Sequence, residues 1–206
     1  MTTVNHILQY MQTLAPVSMK MEWDNVGLLC GSRSTPVTKI LVALDPFEHV
    51  CQEAADWGAE LMVTHHPLIF RPLPGVTDET SIGRGIMTLC RHGICAVNAH
   101  TNLDQAPGGV NDVLAEAIGL SHISVIRPNG VDENGNEWGL LRCGEVAQQS
   151  LPEFLARVKT TLHCQGLRYV SSGKPVRRVA VGGGSCADGL LDALRAGCDT
   201  LSLIHI

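Results

Sequence analysis

The sequence has few aromatic residues, little charge of either sign and no strongly basic segment. Aromatic residues make up 4% and charged residues 17% of the 206 positions. A core must therefore be packed mainly from aliphatic side chains, which the hydrophobic fraction of 45% supplies. The net charge is −5 and no basic run occurs, which argues against a nucleic-acid or membrane-surface partner.

Targeting and membrane-spanning patterns are also missing from the sequence. The N-terminal segment has no basic region followed by an apolar block, and no apolar stretch is long enough to cross a bilayer. We therefore expect a cytoplasmic protein.

Eight cysteines occur, but never as Cys-x-x-Cys, and most lie in apolar contexts. We interpret them as small buried hydrophobic residues rather than as disulfides or zinc ligands.

The apolar pattern of the first part of the chain predicts alternating strands and helices. Continuous apolar runs at 39–45, 61–65 and 94–99 are typical of strands that are buried on both faces. Apolar residues at helical spacing precede, separate and follow these runs. This order predicts an α/β domain with a largely parallel sheet over residues 1–126.

A polar stretch with Asn-Gly pairs predicts the boundary to a second α/β domain, residues 127–206. Asn134-Gly135 has the pattern of a hairpin tip, because both residues tolerate the positive φ angles of a tight turn. Ser150 and Glu153 form a capping-box pattern that predicts the start of a helix. The glycines at 182–184 can hold a phosphate, but close packing of a helix on a strand explains them as well.

Histidines and an aspartate at the ends of two predicted strands are the most informative residues. His65 and His66 end one apolar run, and His100 and Asp104 follow the next. Chemistry in α/β proteins is placed at strand ends, and imidazole and carboxylate are metal ligands by type. Adjacent side chains of a strand point to opposite faces, but Pro67 ends the regular ladder, so the two rings can each face one ion of a metal pair.

The alternative for these histidines is a set of hydrogen-bonded core side chains. The occurrence of two such strand ends favours metal binding.

A second polar cluster lies in the loop that carries Glu22, Trp23, Asp24 and Asn25. These residues can line a pocket, or Trp23 can anchor the loop while Asp24 makes a turn. The sequence leaves these two alternatives open.

These segments make the chain similar to the dinuclear-metal-centre family of GTP cyclohydrolase 1 type 2 homologues. The resemblance runs from the first predicted helix to about Asp199. It rests on residues 23–28, 64–68 and 98–104, and on the glycine turn followed by 197–199. It implies two α/β domains with a pair of metal ions between them and a ring-shaped homohexamer. The ligands of the family fall here on His65, His66 and Asp104.

The chain departs from the pattern of the family after Asp199. Members continue with a late segment whose histidine and bridging glutamate complete the metal site. His205 has no following glutamate, so we do not expect it to substitute. We expect a C-terminally truncated chain that binds at most one metal weakly and aggregates, because two close cations need a bridging anion.

The function expected from these residues and from the resemblance is metal-dependent hydrolysis of a nucleotide or related heterocycle. Two divalent ions would activate water, and His100, Glu22 or Asp24 would move protons. Histidine with carboxylate suits Zn, Fe, Mn, Co or Ni. The alternatives are a non-enzymatic metal-binding regulatory or scaffold protein and a metal-dependent phosphoesterase. Expected partners are a small-molecule substrate and further copies of the chain, with no nucleic acid and no membrane.

Overall fold

The structure is a computed structural model that describes residues 1–203. It divides the chain into two compact units, Met1–Leu103 and Asp104–Ile206. His205 therefore lies outside the described residues, as does the rest of the segment 204–206. Within residues 1–203 no helix is long and apolar enough to cross a membrane.

The first unit is a mixed sheet with helices on both faces. Its elements in chain order are α1 (Val4–Leu14), a 3₁₀ turn (Val17–Met19), β1 (Gly27–Cys30), β2 (Ile40–Ala43), α2 (Glu48–Trp57), β3 (Leu61–Thr64), α3 (Ser81–Arg91) and β4 (Cys95–Asn98). The strands lie in the order β1, β4, β3, β2. Strands β2, β3 and β4 are parallel, and β1 pairs with β4 in the antiparallel direction.

The central strands β3 and β4 send alternate side chains into two different cores. Met62 and Ala96 join the core under α2 and α3, whereas Leu61 and Val97 join the core under α1. This alternation is what a strand buried on both faces requires. Thr64 pairs with Asn98 in register, so β3 and β4 end at the same edge of the sheet. The residues that follow both strands consequently emerge side by side.

The second unit contains an antiparallel sheet to which one parallel strand is added. After α4 (Thr101–Gln105), which crosses the division, its elements are α5 (Val110–Ala117), β5 (Ser121–Ile126), β6 (Gly130–Val131), β7 (Glu137–Trp138), β8 (Leu141–Gln149), α6 (Leu151–Thr161), β9 (Val176–Gly182), a 3₁₀ turn (Ala187–Gly189), α7 (Leu190–Arg195) and β10 (Thr200–Leu203). The sheet order is β10, β9, β8, β5, and β10 runs parallel to β9.

The division between the units falls before the predicted boundary at 126/127. The cause is the packing of α5 and β5. Leu114 of α5 and Ile118, which directly follows the helix, share a core with Phe154 and Val179, and β5 pairs with β8. The amphipathic pattern of α5 was identified, but the pattern does not indicate which sheet the helix covers. The polar stretch placed at the boundary instead forms the β6–β7 hairpin.

Two local features of the second unit, the start of α6 and the glycine turn, can be compared with the predictions. Ser150 and Glu153 form the predicted capping box at the start of α6. At the glycine turn, Gly183 donates its backbone N–H to Asn111 Oδ1 at 2.6 Å. A Cβ on Gly182 would lie 2.8 Å from Leu141 Cδ2. These contacts favour close packing over phosphate binding as the reason for the glycines.

All eight cysteines lie within the described residues, and all are free thiols. Cys51, Cys95, Cys143 and Cys198 are buried, in agreement with their interpretation as small core residues. Cys90 is exposed, and its Sγ lies 3.7 Å from Sγ of Cys30.

Candidate metal centre

The two predicted strand ends bring three imidazoles together. His65 and His66 directly follow β3, and His100 follows β4 after one intervening residue. The ladder persists for one step, because Ala99 N donates to Thr64 O at 3.1 Å. The chain then leaves the ladder at His66, whose carbonyl accepts a hydrogen bond from Thr64 Oγ1 at 2.7 Å, just before Pro67. All three histidines belong to the first unit.

The three rings are near neighbours. The ring centroids of His65 and His66 lie 5.1 Å apart, those of His65 and His100 lie 5.2 Å apart, and those of His66 and His100 lie 5.7 Å apart. One nitrogen from each ring can be chosen so that the three atoms lie within 4.8 Å of one another. All three side chains are half-buried. This cluster can hold a metal ion.

Each of the three rings has its Nδ1 atom against an oxygen. His65 Nδ1 lies 2.9 Å from the carbonyl of Ala99, and His66 Nδ1 lies 2.6 Å from Asp45 Oδ1. His100 Nδ1 lies 3.0 Å from Asp24 Oδ1. Because carbonyl and carboxylate oxygens only accept, we assign a proton to Nδ1 in each ring.

That hydrogen-bonding pattern tests whether the residues fit a metal. Metal-bound histidines in proteins almost always donate their other ring N–H to a carboxylate or a carbonyl, which fixes the tautomer and the orientation of the ring. All three rings of the cluster meet this condition with residues of the first unit. A set of three imidazoles held in this way therefore fits a transition-metal ion.

The charge state of His65 also suits a cation. Burial, together with the repulsion of His100 and His66, lowers the pKa of His65 to about 4. At neutral pH this ring is therefore uncharged, which is the form that binds metals.

Asp24 is the most completely satisfied acid of the site. Its side chain is fully buried. Besides His100, its oxygens accept hydrogen bonds from Thr101 N at 3.1 Å, Thr101 Oγ1 at 2.5 Å and Asn25 N at 2.8 Å. Burial opposes the charged form, but the hydrogen bonds from Thr101 and His100 outweigh it and lower the pKa of Asp24. Asp24 is thus a carboxylate that orients His100.

The other residues of the predicted site have different surroundings. Glu22 is exposed, and a catalytic role for it stays a prediction. Asp104 is buried on α4 and belongs to the second unit, where its carbonyl accepts from Asn111 Nδ2 at 2.9 Å. Its role as a metal ligand beside His65 and His66 also stays a prediction. Asp45 was not singled out from the sequence, although an acid at the end of an apolar run was a usable signal.

Two exposed aromatic residues lie beside the histidines. The ring centroids of Trp23 and Phe70 are 5.8 Å apart, and those of Trp23 and His100 are 6.4 Å apart. Trp23 is 59% exposed and Phe70 is 44% exposed. Trp23 is therefore not the anchor of its loop, which was one of the two alternatives. The buried Asp24 anchors the loop, and Asn25 Nδ2 ties it to the carbonyl of Ile69 at 2.7 Å.

Comparisons with known proteins show which family the chain resembles. The family model for Duf34/NIF3 (NGG1p interacting factor 3) matches residues 2–201. A GTP cyclohydrolase 1 type 2 homolog from Clostridium perfringens is 37% identical over 200 residues, which cover 96% of this chain and 75% of that protein. A homolog of the same name from Streptomyces coelicolor is 36% identical over 200 residues, with 95% of this chain and 70% of that protein covered.

Solved structures match the fold across nearly the whole chain. Staphylococcus aureus protein SA1388 superposes with a TM-score of 0.89 at 28% identity, covering 98% of this chain and 79% of that chain. A Bacillus cereus protein related to NIF3 superposes with a TM-score of 0.91 at 24% identity, covering 98% and 82%, and supports the fold alone. The mixed α/β fold and the resemblance inferred from the sequence are confirmed. The chain belongs to the Duf34/NIF3 (NGG1p interacting factor 3) family.

Proposed function

We propose that the protein is a metal-dependent hydrolase acting on a nucleotide or a related heterocycle. His65, His66 and His100 hold one divalent ion in this proposal, and Asp104 is the proposed ligand of a second. The substrate class is supported by the name GTP cyclohydrolase 1 type 2 homolog, which the relatives carry. A homohexameric assembly in the cytoplasm is part of the same proposal.

The single observation that carries the proposal is the common orientation of the three imidazoles. Each ring places Nδ1 against a carbonyl or carboxylate oxygen, which is the arrangement that holds a metal-binding histidine in position. The ring centroids lie within 5.7 Å of one another, and one nitrogen of each ring can approach a single ion.

A metal bound there supplies Lewis acidity, which lowers the pKa of bound water and polarises the group under attack. The protein residues supply position. Asp24 and Asp45 hold the rings of His100 and His66 through carboxylate hydrogen bonds. These bonds also make the imidazoles more basic and therefore stronger metal ligands. The carbonyl of Ala99 holds the ring of His65 in the same way.

Proton transfer is assigned to Glu22 in this proposal. Glu22 is exposed on the loop that precedes Asp24, so it is accessible to substrate and solvent. The sequence also suggested His100 for this task, and the two roles of His100 are separable by experiment. Replacement of His100 by Gln removes bound metal if His100 is a ligand. It leaves the metal in place and removes turnover if His100 only moves protons.

The experiment that tests the proposal is a turnover assay with the protein loaded with Zn²⁺, Mn²⁺, Co²⁺, Ni²⁺ or Fe²⁺. Consumption of GTP is followed by chromatography, and release of inorganic phosphate from GTP and a generic phosphoester is followed in parallel. We expect metal-dependent GTP consumption that is lost in His65→Ala and kept in His49→Ala, since His49 is an exposed residue of α2. Phosphate release alone would identify a phosphoesterase, and bound metal without any turnover would identify a non-enzymatic metal-binding protein.

A further inference from the structure

Trp23 and Phe70 form an exposed aromatic corner next to the histidine cluster. The planes of the two rings meet at 81°. The ring of His100 lies at 73° to Trp23 and at 89° to Phe70, so the three rings are close to mutually perpendicular. We call Trp23 and Phe70 the aromatic corner. A flat ring that lies against one face of this corner meets the edge of the other.

Hydrogen bonds hold the two segments that carry the aromatic side chains. Asn25 Nδ2 donates to the carbonyl of Ile69, which joins the segment of Trp23 to the segment of Phe70. Asp24, the neighbour of Trp23, is held by His100 and Thr101. The backbone that carries the corner is therefore held in place before any ligand arrives, which lowers the entropic cost of binding.

Core packing does not explain why these rings are placed here. The chain has only three Trp and three Phe residues, and it exposes 59% of Trp23 and 44% of Phe70. Exposure of so much aromatic surface costs hydrophobic free energy that burial would recover. Apolar and aromatic surface beside a few converging polar groups is typical of a small-molecule site.

We propose that Trp23 and Phe70 bind the planar ring of the substrate, a nucleobase or a similar flat nitrogen heterocycle. The inference deepens the proposed function, because it identifies residues that select the substrate at the same site. Aromatic side chains stack on any base through its π-face, so the corner selects flat rings as a class rather than one base. The contact of both rings with His100 places the stacked ring beside the histidine cluster.

Isothermal titration with three probes tests the assignment: GTP, guanosine and inorganic tripolyphosphate. Guanosine carries the ring without phosphates, and tripolyphosphate carries phosphates without the ring. The variants are Trp23→Leu, Phe70→Leu and Trp23→Phe. The matched control is Trp57→Leu, because Trp57 is 50% exposed in the same unit and contacts Lys39 instead.

We expect Trp23→Leu and Phe70→Leu each to weaken guanosine binding about tenfold, in line with the usual strength of base–aromatic stacking. Tripolyphosphate affinity and zinc stoichiometry should stay within twofold of wild type. Trp23→Phe should restore most of the guanosine affinity, since it keeps a flat ring. Trp57→Leu should bind all three probes as the wild type does.

Several results would overturn the assignment. Guanosine affinity unchanged in both leucine variants, or no guanosine binding by the wild type, would do so. A uniform loss of all probes and of zinc would show a structural role. A change of mass in light scattering with unchanged guanosine binding would make the corner a contact between copies of the chain. Guanosine binding through the corner without any turnover would instead leave the corner intact and refute the hydrolase proposal.

Discussion

The two units each contain a cluster of polar groups, and the two clusters bring different kinds of groups together. In the second unit, the fully buried Arg142 donates to both oxygens of Asp112 and to the carbonyls of Gly139, Gln105 and Ala106. In the first unit, three half-buried imidazoles each place Nδ1 against an oxygen, and one nitrogen of each ring lies within 4.8 Å of one nitrogen of each other ring.

The difference indicates which cluster serves the fold and which serves a ligand. The guanidinium of Arg142 has a carboxylate and several carbonyls as partners, so donors and acceptors match within the second unit. The histidine cluster brings together three side chains that can bind a metal, each oriented by an oxygen at its Nδ1 atom. Buried polar groups alone therefore do not identify a functional site, whereas a set of oriented metal-binding side chains does.

The largest effect should follow from removing Arg142 from the polar cluster of the second unit. Arg142→Met removes the guanidinium that pairs with the carboxylate of Asp112 and donates to the carbonyl of Gly139, so we expect the free energy of unfolding to fall by about 3–5 kcal/mol. Urea denaturation followed by circular dichroism measures the change. Arg195→Met is the matched control, since Arg195 pairs with Asp192 at an exposed position. This substitution should lower the free energy of unfolding by less than about 1 kcal/mol. Equal effects of the two substitutions would contradict the comparison.

A smaller effect is expected from changing the carboxylate that orients His100 in the histidine cluster. Asp24→Asn removes the charge that orients and polarises His100, so zinc affinity should fall about 10–100-fold. Zinc titration in competition with a chelator measures the affinity. Asp56→Asn, at an exposed position of α2 in the same unit, should leave it unchanged. Wild-type affinity in Asp24→Asn would mean that His100 is not a ligand.

The smallest effect concerns the opposite end of the strands in the first unit. Glu60 precedes β3 and accepts hydrogen bonds from the backbone N–H groups of Lys39 and Thr38, which lower its pKa to about 2. Because the folded-state pKa lies below the ordinary value of 4.5, this stabilisation is complete above pH 4.5 and is lost as the pH falls towards 2.

We therefore expect the free energy of unfolding to fall less steeply between pH 4.5 and 2 in Glu60→Gln than in the wild type. Urea denaturation at a series of pH values gives the slope. Glu53→Gln, at an exposed position of α2, should show the wild-type slope. An unchanged slope in Glu60→Gln would remove the role assigned to this carboxylate.

Much of the first unit could be predicted from the sequence because its central strands are buried on both faces. Continuous apolar runs marked β3 and β4, and the polar residues after them marked the strand ends. The oxygen atoms that the histidine rings contact could not be predicted from such a pattern. Asp24 and His100 are 76 positions apart, and the burial of Asp24 depends on that contact.

The division between the units and the exposure of Trp23 could not be predicted from the sequence for a related reason. The apolar face of α5 indicates that the helix packs on something, but not that its partners are Phe154 and Val179. The exposure of Trp23 departs from the usual burial of tryptophan, and the sequence leaves an anchoring role and a pocket-lining role equally open. Both outcomes are set by contacts between distant segments.

Metal binding by single histidine variants tests the central claim most directly. Zinc titration is carried out on the wild type, on His65→Ala, His66→Ala and His100→Ala, and on His49→Ala as the exposed control. We predict that the wild type and His49→Ala bind zinc with equal affinity. We also predict that each of the other three variants loses at least about tenfold in affinity. Zinc binding of wild-type strength in all three variants would contradict the assignment of this cluster as the metal centre.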